Sequence, residues 1–258
     1  MTNLNKLCII SHSGGLDSTT LMAKALAEGF KVQPISFEYG QNHKVEMIAQ
    51  SMTWDFLKER YQDKLREPII LNIGEILGTI KLQYQAIRDS RKIEEKTELE
   101  YYTPFRNLVF SALAAMVGEI ICLTEDIDEL WVGIGVHKHS SESYKKDYWD
   151  ITPQFVEKLD TLFKLNDGLN VQVYAPYADD FKEAIVRDAI DLEVPYKLTW
   201  TCYNPVTNEF TTAEGKETIE TVPCLKCEAC LEREIQGSKV GVDDINDYRI
   251  VKTRIKDL

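Results

Sequence analysis

One short stretch combines the residue types that bind phosphate: Ser13-Gly14-Gly15-Leu16-Asp17-Ser18. It follows an apolar run and precedes apolar residues at helical spacing, which predicts a turn between a strand and a helix. Unpaired N–H groups at a helix N-terminus attract an anion, and glycines let the backbone approach it closely. Hydroxyls can donate further bonds, and the aspartate can cap the helix or bind a metal. The stretch predicts a phosphate-binding loop; an ordinary turn with an aspartate N-cap is the alternative.

A second group of reactive residue types is a set of closely spaced cysteines, Cys224, Cys227 and Cys230. Thiolates so close together make poor disulfides, but they can surround one tetrahedral ion. A tetrahedral site needs a fourth ligand, for which Cys202 is the candidate. The spacing predicts a structural zinc site, with an iron–sulfur cluster and metal-free thiols as the alternatives.

Short apolar runs, typical of buried strands, alternate with helical patterns along most of the chain. The phosphate-binding loop lies between the first strand and the first helix of this series. The alternation predicts a doubly wound parallel sheet, covered by helices on both faces, with ligands bound beyond the carboxyl ends of the strands. Residues 81–100 are charged and poorly patterned, and we expect an exposed excursion there. We divide the chain into an α/β domain with the phosphate loop, residues 1–198, and a zinc-bearing C-terminal segment, residues 199–258.

The composition narrows the function classes. The chain has 258 residues and a formal net charge of −12, with 30 Lys and Arg against 42 Asp and Glu. Such an acidic chain is not expected to bind nucleic acid, because neutralising phosphates needs clustered cations. We find no charged-then-apolar leader and no apolar run long enough to cross a bilayer. We therefore expect no membrane partner and a cytoplasmic location, where the six cysteines stay reduced.

The two motifs together resemble those of the 7-cyano-7-deazaguanine synthase (QueC) family of the PP-loop ATP pyrophosphatases. The loop is similar to the S-G-G-x-D-S pattern of that superfamily, and Trp200-Thr201-Cys202-Tyr203-Asn204 before the other cysteines resembles the C-terminal pattern of the family. Other landmarks follow in the family's order: Tyr39-Gly40-Gln41 with His43, Pro104 with Arg106 and Asn107, Gly135-Val136, Tyr144, Asp150, Pro153, Phe155, Lys182-Glu183 and Pro195-Tyr196. The resemblance covers nearly the whole chain.

The resemblance implies an adenine nucleotide alpha hydrolase-like fold, a homodimer and an ATP-dependent ligase. Such an enzyme activates 7-carboxy-7-deazaguanine as an acyl adenylate, and ammonia displaces AMP to give an amide. A second activation and loss of water give 7-cyano-7-deazaguanine. The implied cofactors are structural Zn²⁺ and Mg²⁺, with ATP as co-substrate and a deazaguanine as the other small-molecule partner.

The resemblance also assigns residues to the site. The ATP-binding candidates are Ser11, Ser13, Gly14, Gly15, Leu16, Asp17, Ser18, Tyr39, Gln41, His43 and Arg106. His12 is a further ATP-binding candidate from its place beside the loop, where the family usually carries an apolar residue; it either contacts a phosphate or points into solvent. The catalytic candidates are Asp17, Arg106 and Lys182, because cations stabilise charge on a departing pyrophosphate; surface ion pairs are the alternative for the two cations. The substrate-binding candidates are Gly135, Tyr144 and Asp150, of which Asp150 either accepts bonds from a guanine-like edge or caps the helix begun at Pro153. His137 either contacts the ligands or lies exposed in a loop. The metal ligands are Cys202, Cys224, Cys227 and Cys230.

Two departures from the family pattern leave the acyl acceptor open. Ile151-Thr152 stands where the family carries Cys-Arg, and the interval from Cys202 to Cys224 is long, with a solvated acidic loop expected at residues 205–223. One alternative function is acyl transfer to another amine, such as one on a protein acceptor. Others are a different PP-loop adenylating enzyme, such as a tRNA thiolase, and a nucleotide-binding interaction module.

Overall fold

A parallel sheet of five strands forms the centre of the molecule. The computed structural model describes residues 5–38, 44–90, 103–138, 148–212, 217–243, 245 and 247–253. The strands span Lys6–Ser11 (β1), Lys31–Glu38 (β2), Ile69–Asn72 (β3), Glu129–Gly133 (β4) and Asn170–Tyr174 (β5). Their order is β3-β2-β1-β4-β5, so the chain winds outward from β1 in one direction and then in the other. The predicted doubly wound sheet is confirmed, and its switch point lies between β1 and β4.

Helices cover both faces of this sheet. They span Leu16–Ala27 (α1), Lys44–Tyr61 (α2), Gly74–Ser90 (α3), Arg106–Glu125 (α4), Pro153–Phe163 (α5), Lys182–Asp191 (α6) and Glu228–Lys239 (α7). Because successive strand side chains point to opposite faces, the central strand contributes to two cores. Cys8 and Ile10 pack with residues of α1 and α6, whereas Leu7 and Ile9 pack with residues of α4.

A second, antiparallel sheet follows the main domain. Its strands span Val206–Thr211 (β6), Glu217–Val222 (β7) and Ile250–Thr253 (β8), with β7 in the middle. The expectation of a solvated loop at residues 205–223 was wrong. Both arms of the hairpin are rich in threonine and other β-branched residues, which fit a pleated surface, and β7 buries Thr218 and Thr221.

Two helices differ from the sequence expectations. Helix α3 continues to Ser90 through the first half of the region expected to be an exposed excursion; residues 91–100 lie outside the described residues. Helix α4 is long and apolar enough to cross a membrane, with a mean hydropathy of 1.8, so the expectation that no such run exists was wrong. One face of α4 packs on the sheet, and the opposite face exposes Met116, Ile120 and Leu123.

Close approach of α4 to the sheet depends on Gly118. A Cβ atom there would lie 2.4 Å from Cδ1 of Leu130 and 2.8 Å from Cγ1 of Ile9. We expect Gly118→Ala to lower the free energy of unfolding by about 1–3 kcal/mol, because overpacking outweighs the better helix propensity of alanine.

Gly78→Ala in α3 is the matched control, since a Cβ at Gly78 meets no atom within 4 Å. It should raise the stability by up to about 1 kcal/mol. Denaturant unfolding of both variants measures the difference, and equal effects would contradict the packing account.

Candidate functional site

The predicted phosphate loop lies at the switch point, between the end of β1 and the first turn of α1. Gly14 has a φ of +76°, and a Cβ there would lie 2.4 Å from the backbone nitrogen of Gln50. The serine hydroxyls brace the turn: Ser13 N–H donates to Oγ of Ser18 at 3.2 Å, and Gly15 N–H donates to Oγ of Ser13 at 3.3 Å. Gly15 is the N-cap residue, without a side-chain cap, so Asp17 does not cap the helix. The first N–H groups of α1 have no partner within the helix, and no N-cap side chain covers them, so they can bind a ligand at this end of the strands.

An ion pair between a buried lysine and a half-buried aspartate stands beside the loop. Nζ of Lys182 donates to Oδ2 of Asp17 at 2.9 Å, and Nε2 of His137 lies 3.6 Å from the same oxygen. Local backbone pairing brings these residues together, because Lys138 N–H donates to the carbonyl of Asp180 at 2.8 Å, just before α6. Burial alone would raise the pKa of the Asp17 carboxyl, but the charge of Lys182 and the contacts with His137 hold it far below its usual range. Asp17 is therefore ionised at neutral pH.

The second carboxylate oxygen of Asp17 can hold a cation. Oδ1 of Asp17 is buried and has no hydrogen-bond partner among the described residues. A buried anionic oxygen without a donor is costly, and it is a favourable ligand for a hard divalent cation such as Mg²⁺. Asp17 could therefore hold a divalent cation such as Mg²⁺, which would supply positive charge for a phosphate bound at the loop.

The loop and the ion pair open into one large cleft of about 380 Å³, within the range of small-molecule sites. Its walls come from the loop, from α4, from residues 132–137 at the end of β4 and just after it, from α6 and from α7. The predicted site residues in its lining are Ser11, Ser13, Gly15, Leu16, Asp17, Ser18, Arg106, Gly135 and Lys182. The structure thus brings together one acidic and two basic catalytic candidates from three distant parts of the chain.

The wall beside Arg106 carries a second carboxylate, Glu46 of α2. Burial raises the pKa of the Glu46 carboxyl, and the positive charge of Arg106 opposes this shift. Phe110 of α4 stacks on Phe37 at the end of β2, with 4.0 Å between the ring centroids. Phe37 is buried behind Phe110, and of these two rings only that of Phe110 lines the cleft, next to the charged groups.

His12 lies beneath the loop. Its ring is buried between α1 and α2, where Nε2 lies 3.3 Å from Oγ1 of Thr19 and 3.1 Å from Oγ1 of Thr53. The Thr53 hydroxyl donates to the carbonyl of Ala49 at 2.8 Å, so it accepts from the ring, and Nε2 carries the proton. Burial lowers the pKa of His12 to about 3, so the ring is neutral at neutral pH.

Asp150 is placed against α4. Its Oδ2 accepts from the backbone N–H of Asn107 at 3.3 Å, and its carbonyl accepts from Nδ2 of Asn107 at 3.0 Å. The side chain that caps α5 is Thr152, whose Oγ1 accepts from Phe155 N–H at 3.2 Å. The capping alternative for Asp150 is therefore wrong. Contact of Asp150 with a substrate stays a prediction. Its neighbours Tyr148 and Ile151 line the cleft, which places Asp150 close to it.

Four further candidates, Tyr39, Gln41, His43 and Tyr144, lie outside the described residues. The lining also contains residues that the sequence reasoning did not select, notably Glu46, Phe110, Trp200 and Glu232. Of these residues, only Trp200 could have been found from the sequence, because it belongs to the same motif as Cys202. The others sit on amphipathic helices, where the sequence pattern does not separate a cleft wall from ordinary surface.

The four predicted metal ligands converge at the start of α7. The sulfur atoms of Cys202, Cys224, Cys227 and Cys230 all lie within 4.8 Å of one another, close to the spacing of a tetrahedral thiolate site. Hydrogen bonds from the thiols of Cys202 and Cys230 lower the pKa of Cys227, which favours its thiolate. The cluster can therefore bind a metal ion.

Comparisons with known proteins cover almost the whole chain. A family model described as queuosine biosynthesis protein QueC matches residues 7–239. A 7-cyano-7-deazaguanine synthase of Alteromonas mediterranea is 31% identical over 240 residues, which is 93% of this chain and 97% of that protein. One of Picrophilus torridus is 31% identical over 260 residues, covering 97% of this chain and 95% of that protein. The crystal structure of a 4-thiouridine synthetase–RNA complex with bound ATP aligns with a TM-score of 0.44 and 14% identity, over 96% of this chain and 55% of that one.

The neutral state of His12 predicts acid lability. The folded pKa of about 3 lies below the ordinary value of 6.5, so between these values the unfolded chain binds a proton that the folded chain does not. The free energy of unfolding therefore falls as the pH drops below about 6.5. For this one group the loss is about 2 kcal/mol between pH 7 and pH 5. Denaturant unfolding at the two pH values should show a smaller loss in His12→Leu than in the unsubstituted protein. An equal loss would show that another group controls the acid response.

Proposed function

The chain belongs to the queuosine biosynthesis QueC family, and from this premise we propose that it is an ATP-dependent carbon–nitrogen ligase acting on a carboxylated deazaguanine. The proposed reaction converts 7-carboxy-7-deazaguanine and ammonia to 7-cyano-7-deazaguanine. The relatives of this chain are named as synthases of that product. The observation that carries the proposal is the Lys182–Asp17–His137 cluster beside a glycine-rich loop at a helix N-terminus.

The first step makes the carboxylate reactive. A substrate carboxylate oxygen attacks the α-phosphorus of ATP, and pyrophosphate leaves as the acyl adenylate forms. The loop N–H groups and Lys182 stabilise the charge that develops on the leaving pyrophosphate. Mg²⁺, held by Asp17, would neutralise further phosphate charge. Ammonia then displaces AMP to give the amide, and a second adenylation at the amide oxygen allows AMP to leave with formation of the nitrile.

The two walls of the cleft suit the two substrates. We assign the adenosine to the side of α2, where Phe110 supplies apolar surface for a flat ring. We assign the deazaguanine to the side of residues 133–137 and Tyr148, next to Arg106, whose guanidinium can approach a carboxylate or a phosphate. The roles of Asp150 and Gly135 in substrate binding are part of this proposal.

We also propose that the metal in the four-cysteine cluster is zinc with a structural role. The thiolates would fill all four positions of a tetrahedral ion, leaving none for a substrate. Residues 199–258 form the segment organised by this ion, and residues 1–198 form the ATP-binding domain. Reduced thiols agree with a cytoplasmic location.

Lys182 gives the decisive test of the chemistry. We expect Lys182→Ala to slow exchange between pyrophosphate and ATP, in the presence of 7-carboxy-7-deazaguanine, by about 100-fold or more, because a cation at the leaving group is lost. Lys164→Ala is the control, since Lys164 is exposed and pairs with Asp160 in α5. Exchange at the normal rate in the Lys182 variant would remove this residue from the mechanism.

Product identification separates the remaining reactions. Mass spectrometry after incubation with ATP, ammonia and 7-carboxy-7-deazaguanine should show the nitrile. Substrate-dependent exchange without a nitrile would favour transfer to another amine, including one on a protein. Absence of any exchange would leave a nucleotide-binding module.

The apolar outer face of α4 supports the proposal of a homodimer. Met116, Ile120 and Leu123 recur on one side of the helix and are 60%, 65% and 72% exposed, although each is large and apolar. We expect Leu123→Lys to convert the dimer to a monomer in sedimentation experiments without loss of folding. A purified protein that is monomeric before substitution, or a variant that stays dimeric, would contradict this interface.

A further inference from the structure

One segment links the metal site to the phosphate loop. We name residues 196–202 the strap; they connect α6 to the hairpin of β6 and β7. Trp200 N–H donates to the carbonyl of Gly14 at 2.9 Å. The carbonyl oxygen of Trp200 lies 3.2 Å from the position that a Cβ of Gly15 would occupy. The strap therefore lies directly against the loop backbone, and a shift of the strap moves or releases the loop.

Arg233 of α7 holds the strap from its other side. Its side chain is fully buried and donates to the carbonyl of Tyr196 at 2.6 Å, to Oγ1 of Thr199 at 3.0 Å and to Oγ1 of Thr201 at 2.9 Å. The guanidinium also lies 4.3 Å from the ring centroid of Tyr248. A planar guanidinium offers five donors in a fixed fork, which a lysine ammonium cannot reproduce. Loss of any of these acceptors leaves buried donors unpaired, so the strap and Arg233 are held together.

The same helix also carries the cysteine cluster. Cys230 precedes Arg233 by one helical turn, and Cys202 is the last residue of the strap. The backbone N–H of Cys202 donates to the hydroxyl of Tyr248 at 3.2 Å, and Cys224 N–H donates to Sγ of Cys202 at 3.2 Å. The strap is thus fixed at its end by the metal ligands and along its length by Arg233.

We infer that Arg233 and the metal of the four-cysteine cluster set the shape of the phosphate loop through the strap, so that nucleotide binding and metal retention are coupled. Arg233 is a positioning residue in this arrangement, since it contacts the strap rather than a substrate. Coupling between two binding equilibria is reciprocal. A metal that orders the strap strengthens nucleotide binding, and a nucleotide that orders the loop strengthens metal binding by the same factor. The inference rests on the proposed function only in taking the loop as the ATP site and zinc as the metal.

Zinc release from the full-length protein tests the coupling without substitution. A chromophoric chelator is added to the zinc-loaded protein, and the zinc that the chelator holds at equilibrium is measured with and without ATP. We expect saturating ATP to raise the zinc affinity of the protein by a factor within the usual range of about 5 to 150 for coupled sites. ATP that binds and leaves the zinc affinity unchanged would overturn the inference.

Arg233 is then tested against a matched arginine. Arg233→Met should weaken ATP binding by a factor of about 5 to 150, measured by calorimetry, while the variant keeps one zinc per chain and a cooperative melting transition. Arg233→Lys should fail to restore binding, because it keeps the charge and loses the fork. Arg249→Met is the control, since Arg249 is exposed in the same segment and pairs with Glu220 and Asp247.

The outcomes distinguish the two proposals. A zinc-loaded Arg233→Met protein with unchanged ATP affinity would overturn the coupling and leave the ligase proposal intact. If this variant does not fold, the zinc-release experiment on the unsubstituted protein is sufficient to show whether ATP binding and zinc binding are coupled. An unsubstituted protein that does not bind ATP would instead overturn the proposed function.

Discussion

The site depends on one steric constraint: the phosphate loop is enclosed by backbone on two sides. The backbone of Gln50 in α2 lies 2.4 Å from a Cβ position at Gly14, and the strap carbonyl of Trp200 lies 3.2 Å from one at Gly15. Glycine is therefore required by space at Gly14, in addition to its positive φ. The enclosure fixes the first N–H groups of α1 in one direction. A rigid set of donors at a helix N-terminus stabilises developing charge without reorganising during the reaction.

Charge complements this rigid backbone. Lys182 and Asp17 are separated by 165 positions in the sequence, yet their side chains pair at 2.9 Å beside the loop. Lys182 is buried and Asp17 is partly exposed, so the lysine carries most of the cost of removing charge from water. Its attraction to Asp17 and their hydrogen bond offset that cost only when the geometry is good. An incoming polyphosphate can share Lys182, while the second oxygen of Asp17 stays available to a cation. The pair therefore suits ligand binding better than it suits stability alone.

The C-terminal segment lines the cleft and also carries the cysteine cluster that can bind a metal. Cys202 and Cys230 pack in one cluster with Val45 and Ala49 of α2, so the metal ligands share a core with the helix that encloses the loop. Glu232 and Trp200 line the cleft from this segment. A metal ion here stabilises packing that reaches the phosphate-binding backbone, since metal binding and local folding share one free energy.

The sequence by itself determined the local chemistry of this protein and the alternation of parallel strands with helices in its main domain. Phosphate-loop residues, the spacing of three cysteines and the alternation of strands with helices are short-range patterns, and each predicted the correct structure because the cause lies within a few residues. Only the tertiary structure decided which distant residues share the cleft. It paired Lys182 with Asp17, buried His12 against Thr19 and Thr53, and placed Asp150 against Asn107. It also packed Arg233 against the strap and Trp200 against the glycines of the loop. Those contacts arise from the packing of α4, α6 and α7, and helix faces that look alike in sequence differ only in what they are packed against.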